Sequence, residues 1–327
     1  MVRPITPSRE REPQCFVPVN GMRGMRASLI LNPGAGSLHG DRDAVDTEAF
    51  RAAFAAHGIT VAVRIAPPRQ LGELLEAVIA ERPDAIFVGG GDGSISTAAG
   101  FLAGSGIPLG VLPLGTLNHF ARDLGVPVDW RDAVAALAHG ERRAVDVGEV
   151  NGRVFINNCS IGSYAEAVRK RDALRRTHGT GKWWAMTLAT VAVFRRLRRL
   201  RVRLETDGKI LALRIPFIVV ANNRYSGHVL DHSLRSRLDE GRLWIYTTRA
   251  GRHLSILRLM WQSLTRQIDD VDGLEKLAVP AATLTHEHGP LPIAVDGELV
   301  DLKPPLHFRI RRAALPVIAP REKPSTE

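Results

Sequence analysis

The sequence predicts an α/β protein in which a parallel-sheet domain is followed by a β-rich, antiparallel, sandwich-like second domain. Three observations lead there. Short apolar runs alternate with amphipathic helical stretches from residue 26 to about 150, the pattern of a parallel sheet covered on both faces. Beyond residue 151 the apolar runs become short and alternating, and "RVRLETDGKILALRI" (201–215) places Asp207-Gly208 between two of them, a strong hairpin signal. A length of 327 residues exceeds the usual reach of one core.

The elements follow in order. Residues 1–25 mix Pro, Ser, Arg and Glu without periodicity and are expected to form a disordered tail. "ASLILN" (27–32) is a buried strand, and a helix is expected over 41–57 with Val45, Ala49, Ala53 and Ala56 on its apolar face, stopped by Gly58. "ITVAVRI" (59–65), "AIFVGG" (85–90) and "PLGVLP" (108–113) are further strands. Helices are expected over 70–81, 94–104, 119–125 and 129–140. In the second half, "RVFINNCSIG" (153–162) is expected as one strand, followed by helical stretches at 164–175 and 182–199 and the 201–215 hairpin. "PFIVVANN" and "GRLWIYTTR" are strands, "HLSILRLMWQSLTRQI" (253–268) is an amphipathic helix, and "LEKLAVP", "ATLTHE", "PIAVDGELV" and "PLHFRIRR" complete the strands. The expected domains are 26–150 and 151–310, with 311–327 as a return segment and tail.

Composition narrows the class. Apolar residues make up 45% and charged residues 24%, as in a soluble globular protein. No apolar run reaches the length of a membrane-spanning helix. With only Cys15 and Cys159, no disulfide framework is implied, which suits a reducing cytoplasm. The net charge of +10 favours anionic partners. Its arginines are spread along most of the chain, and neither a nucleic-acid-binding motif nor interleaved aromatics accompany them, so nucleic acid is not an expected partner.

Three loops follow strands of the first domain, where ligands of open α/β sheets bind. "NPGAGS" (32–37) offers close backbone approach at Gly34 and Gly36, yet misses the dinucleotide spacing by one residue and lacks the G-K-[ST] of a P-loop. "GGGDGS" (89–94) sets Gly90, Gly91 and Gly93 around Asp92, with Ser94 expected to cap the next helix. A carboxylate beside a phosphate site is admissible where a cation bridges them or a proton must be accepted. "LPLGTLNHF" (112–120) brings Gly115, Thr116 and Asn118 to a helix start. Far along the chain, "IAVDGELV" (293–300) puts Asp296, Gly297 and Glu298 in one tight turn.

"NPGAG", "GGGDGS", "LPLGTLNHFARDLG" and "VDGE", in this order and at these intervals, resemble the diacylglycerol kinase catalytic-domain family of lipid kinases, which includes soluble bacterial diacylglycerol kinases and sphingosine kinases. "VDVGEVNGRVFINNCSIG" (145–162) is similar to that family's domain junction, and the resemblance spans about 26–320. It implies a nucleotide-binding first domain like that of NAD kinases and phosphofructokinases, with ATP and lipid meeting in the cleft between the domains. Asn32, Pro33, Gly34, Ala35 and Gly36 match its first nucleotide loop, Gly90 to Ser94 its second (serine standing for threonine), and Thr116 its third. Asp92, Asp146 and Glu298 match a cluster of acids that holds Mg²⁺ and supplies the catalytic base. Asp239 resembles the start of a structural Mg²⁺ site. His119 departs from the pattern, since many members carry a further acid there.

The expected reaction is phosphoryl transfer from ATP, with Mg²⁺, to a hydroxyl of diacylglycerol, catalysed by Glu298 and Asp92. The sequence leaves open which of the two is the base, with a lean to Glu298. A sphingoid base or another lipid alcohol as acceptor, and a non-catalytic nucleotide- or lipid-binding regulator, are the alternatives. "KWWAMTLATVAVFRRLRRLRVR" (182–203), with paired tryptophans and six arginines within 195–203, suggests peripheral contact with an anionic membrane. An inward-packing face of Val193, Leu197, Leu200 and Leu204 is the competing reading. The oligomeric state stays open, a homodimer included.

Overall fold

The computed structural model describes residues 24–35, 46–162, 200–225, 235, 237–248, 274–286 and 291–321. The expected tails, Gly36, the start of the first helix and the helical stretches at 164–199 and 253–268 lie outside the described residues.

Four parallel strands form the core of the first half: β1 (Arg26–Leu31), β2 (Thr60–Ile65), β3 (Ala85–Gly90) and β4 (Leu109–Pro113), in the order β2-β1-β3-β4. β3 is buried at every position, as a central strand covered on both faces must be. Around the sheet lie α1 (Thr47–Ala55), α2 (Leu71–Ala80), α3 (Asp92–Leu102), α4 (His119–Asp123) and α5 (Trp130–Ala138). α1 turns a different face inward from the alanine face expected. Phe50 and Phe54 are its buried residues, and Phe54 meets Phe87 edge-on at 4.7 Å. An aromatic ring buries far more apolar area than a methyl group, so the two phenylalanines set the helix rotation and Ala56 stays exposed.

The second half adds β5 (Glu141–Val150), β6 (Arg153–Phe155), β7 (Asn158–Gly162), β8 (Leu200–Thr206), β9 (Lys209–Ile215), β10 (Phe217–Asn222), β11 (Leu243–Thr248), β12 (Leu274–Val279), β13 (Ala281–His286), β14 (Ile293–Val295), β15 (Glu298–Val300) and β16 (Leu306–Ala319). One sheet, ordered β12-β11-β10-β7-β14-β15, is antiparallel throughout. It shares an apolar core with β8, β13 and the start of β16, which is the sandwich. Asp207-Gly208 and Asp296-Gly297 both have positive φ at the two central positions, as two-residue hairpins require. Leu200 and Leu204 belong to β8, with Leu204 in the sandwich core, so they form no helical face with Val193 and Leu197.

β16 differs most from expectation. It is one 14-residue strand, where a short strand ending at Arg312 and a separate return segment were expected. Its first part pairs antiparallel with β13, and its end pairs parallel with β4, Val317 opposite Leu109. A bulge between Arg311 and Leu315, with Ala313 at φ +48°, redirects the strand from one half to the other. The expected strand at 153–162 is split in two, because the N–H groups of Ile156, Asn157 and Asn158 turn towards the carboxylate of Asp296.

Candidate active site

The carboxyl ends of β1, β3 and β4 open on a cleft of about 720 Å³. After β1, the Asn32 side chain accepts from Gly34 N–H at 2.9 Å and donates to Ser94 Oγ at 2.8 Å, tying the first loop to α3. Gly34 and Ala35 line the cleft, whereas Pro33 stands exposed outside its lining.

After β3, Gly91 is extended and α3 begins at Asp92, two residues earlier than expected. Ser94 is therefore not the helix cap; its hydroxyl serves Asn32. Gly90 packs beneath it, where a Cβ would come within 2.7 Å of Ser94 Cβ. Asp92 lines the cleft and accepts from the N–H groups of Asn118 (3.1 Å) and His119 (2.8 Å). His119 thus meets Asp92 through its main chain, while the residue itself also lines the cleft.

After β4, Asn118 has positive φ and folds its side chain back on its own turn, accepting from Gly115 N–H and donating to Gly115 and Pro113 C=O. It shapes the loop and is absent from the cleft lining, which Gly115 and Thr116 reach. A Cβ on Gly115 would lie 2.5 Å from Gly91 Cα, so the second and third loops touch backbone to backbone.

The β14–β15 turn brings the distant motif to the same place. Glu298 lines the cleft, its Oε1 lies where a Cβ on Gly93 would come within 2.7 Å, and Arg153 approaches it at 3.9 Å. Asp296 accepts from Ser96 Oγ at 2.6 Å and from the three N–H groups at 156–158. Burial raises its pKa against the pull of those four donors.

The expected cluster of Asp92, Asp146 and Glu298 is not assembled, and Asp239, expected at a separate structural site, stands apart from the cleft as well. Asp92 and Glu298 share the cleft, but neither Asp146 nor Asp239 lines it. Asp146 is buried at 2% exposure and accepts from Gly241 N–H (2.6 Å) and from Ala313 N–H (2.8 Å) at the β16 bulge. Asp239 is exposed and paired with Arg237 at 3.0 Å. Among the described residues, no three acidic, histidine or cysteine side chains form a metal-ligating group. Asp92 and Glu298 suit a magnesium ion that takes one or two carboxylates and completes its shell with phosphates and water.

Sequence reasoning passed over Asp296 as a site residue, together with Asp123 and Arg235. Arg235, Asp123 and Asp296 all line the cleft. Asp296 carries a local signal, a second acid in the turn that presents Glu298. Arg235 and Asp123 carry none, since 112 residues separate them.

Residues 26–150 match the family model of the diacylglycerol kinase catalytic domain, and residues 157–319 that of the YegS C-terminal NAD kinase beta sandwich-like domain. A diacylglycerol kinase of Mycobacterium tuberculosis (strain H37Rv) is 30% identical over 266 residues, covering 76% of this chain and 81% of its own. A Chromohalobacter salexigens protein named "Probable lipid kinase YegS-like" is 30% identical over 299 residues, covering 88% and 90%. A crystal structure of a diacylglycerol kinase from Bacillus anthracis str. Sterne superimposes with a TM-score of 0.65 at 19% identity, covering 93% of this chain and 98% of that one.

Proposed function

The chain belongs to the lipid kinase family of the diacylglycerol kinase catalytic domain, and from that premise we propose that it transfers the γ-phosphate of ATP, with Mg²⁺, to the hydroxyl of diacylglycerol. The observation that carries this reading is one cleft walled by the glycine turns of β1, β3 and β4 and by Glu298 from the opposite sheet. The turns let backbone N–H groups approach a polyphosphate closely. Asp92, fixed by two main-chain donors, would hold the metal, with Glu298 lining the same cleft. Magnesium, when bound, neutralises charge on the phosphates. Glu298, at the cleft edge with 59% of its side chain exposed, takes the proton of the lipid hydroxyl. The hydroxyl oxygen bonds to the γ-phosphorus, and the bond to ADP breaks with its electron pair leaving on ADP.

A second reading gives the proton to Asp296. Asp296 also lines the cleft and burial raises its pKa, although four hydrogen bonds already engage it. With ATP as donor and a lipid as acceptor, the proposed reaction is one for a cytoplasmic enzyme acting peripherally at the membrane. The net charge of +10 and the exposed Arg201 and Arg203 support an anionic surface. Labelled ATP offered with vesicles of diacylglycerol, of a sphingoid base or of another lipid alcohol tests the acceptor. We expect label in the organic phase with diacylglycerol, faster on anionic vesicles and slower as salt rises. Label on the sphingoid base alone would replace the acceptor.

A further inference from the structure

The acids of the cleft are held by a closed ring of contacts whose keystone is Arg235. α4 is a single turn of helix. Its start is tied to Asp92 by the Asn118 and His119 N–H groups, and its end carries Asp123. Asp123 Oδ2 accepts from Arg235 Nε at 2.8 Å and from Nη2 at 2.6 Å, and both side chains are buried, at 0% and 2% exposure. The same guanidinium donates to the C=O of Ile156, to the C=O of Asn222 at 3.1 Å and to Asn157 Oδ1 at 2.8 Å. Residues 156–158 in turn donate their N–H groups to Asp296, and Asp296 accepts from Ser96, on the helix that Asp92 begins. The path therefore returns to its start, and it crosses from the nucleotide half to the sandwich half twice, at Arg235 and at Asp296.

We propose that Arg235 is a positioning residue of the phosphotransfer site, fixing Asp92 against the turn that bears Glu298 through this ring. All five donors of the planar guanidinium are engaged in directions a lysine cannot reproduce. Buried ion pairs add little net stability over a well-packed apolar replacement, whereas they fix geometry when every donor is matched. Displacing reacting groups by about 1 Å can cost on the order of 100-fold in rate. Arg235 touches neither Asp92 nor Asp296 in these contacts; it acts through Asp123 and Asn157.

The inference rests on the kinase reading above, and the test separates the two. Hydrogen exchange and steady-state transfer are measured on Arg235→Lys, with ATP and diacylglycerol vesicles. The ring predicts that the amides of Asn118 and His119 exchange faster together with those of 156–158, by about tenfold or more, while the β1 amides keep their protection. It predicts kcat lower by about 10- to 100-fold with KM for ATP within about twofold. Faster exchange at 156–158 alone, or a higher KM at unchanged kcat, would overturn it. Should Arg235→Lys open globally, the neutral pair Asp123→Asn with Arg235→Gln is judged by the same two readouts. Global opening there too would make the pair an element of the fold and end the proposal. An unaltered protein that phosphorylates no lipid counts against the kinase reading, and exchange then decides the ring.

Discussion

Asp146 lies beneath the β16 bulge, its two oxygens spent on the N–H groups of Ala313 and Gly241. Desolvation raises its pKa from the usual 3.8, and the nearby Asp239 adds to that, against the two backbone donors and Arg312. Between 3.8 and the raised value the native state binds more protons than the unfolded one, so this group's contribution to stability is full below 3.8 and falls as pH rises through that window. Asp146→Asn loses one acceptor and leaves one N–H facing an amide, a cost of about 1–3 kcal/mol. Urea unfolding at about pH 4 to 7 should show that deficit shrinking as pH rises, and a deficit that widens would contradict the assignment. The motif around Asp146 was legible in the sequence, but its role was not. The bulge that Asp146 satisfies lies on a strand 167 residues away.

The loops separate glycines that hold the fold from glycines that clear space for chemistry. A Cβ on Gly115 meets the Gly91 backbone, which cannot give way, so Gly115→Ala should lower stability by about 1–3 kcal/mol in a denaturant titration. A Cβ on Gly93 meets only the end of the Glu298 side chain, so Gly93→Ala should keep its unfolding midpoint while transfer falls about tenfold or more. Equal losses of stability in the two variants would remove the distinction. The elements themselves were largely readable: β3 begins and ends where its apolar run does, and both Asp-Gly hairpins close where predicted. The start of α3 was misplaced because serine is a common cap. Here Gly91 takes the extended conformation before the helix, and Ser94 answers to Asn32 from another loop.

At the scale of the molecule, β16 and the Asp296 turn make the two halves one active unit. The strand joins the parallel sheet to the sandwich, and the turn sets Glu298 against α3. Four motifs in order identified both walls of the cleft, since each wall is a short turn with its own local chemistry. The contacts that fix one wall against the other, Arg235 above all, arise only when distant segments meet, and no spacing announces them. Proton acceptance by Glu298 is tested most directly by label transfer from γ-labelled ATP to diacylglycerol, measured for the unaltered protein and for Glu298→Gln, matched for unfolding midpoint. It predicts labelled lipid from the unaltered protein and a loss of about 10²- to 10⁴-fold in the variant. Turnover in Glu298→Gln close to that of the unaltered protein, or no labelled lipid from either, would contradict it.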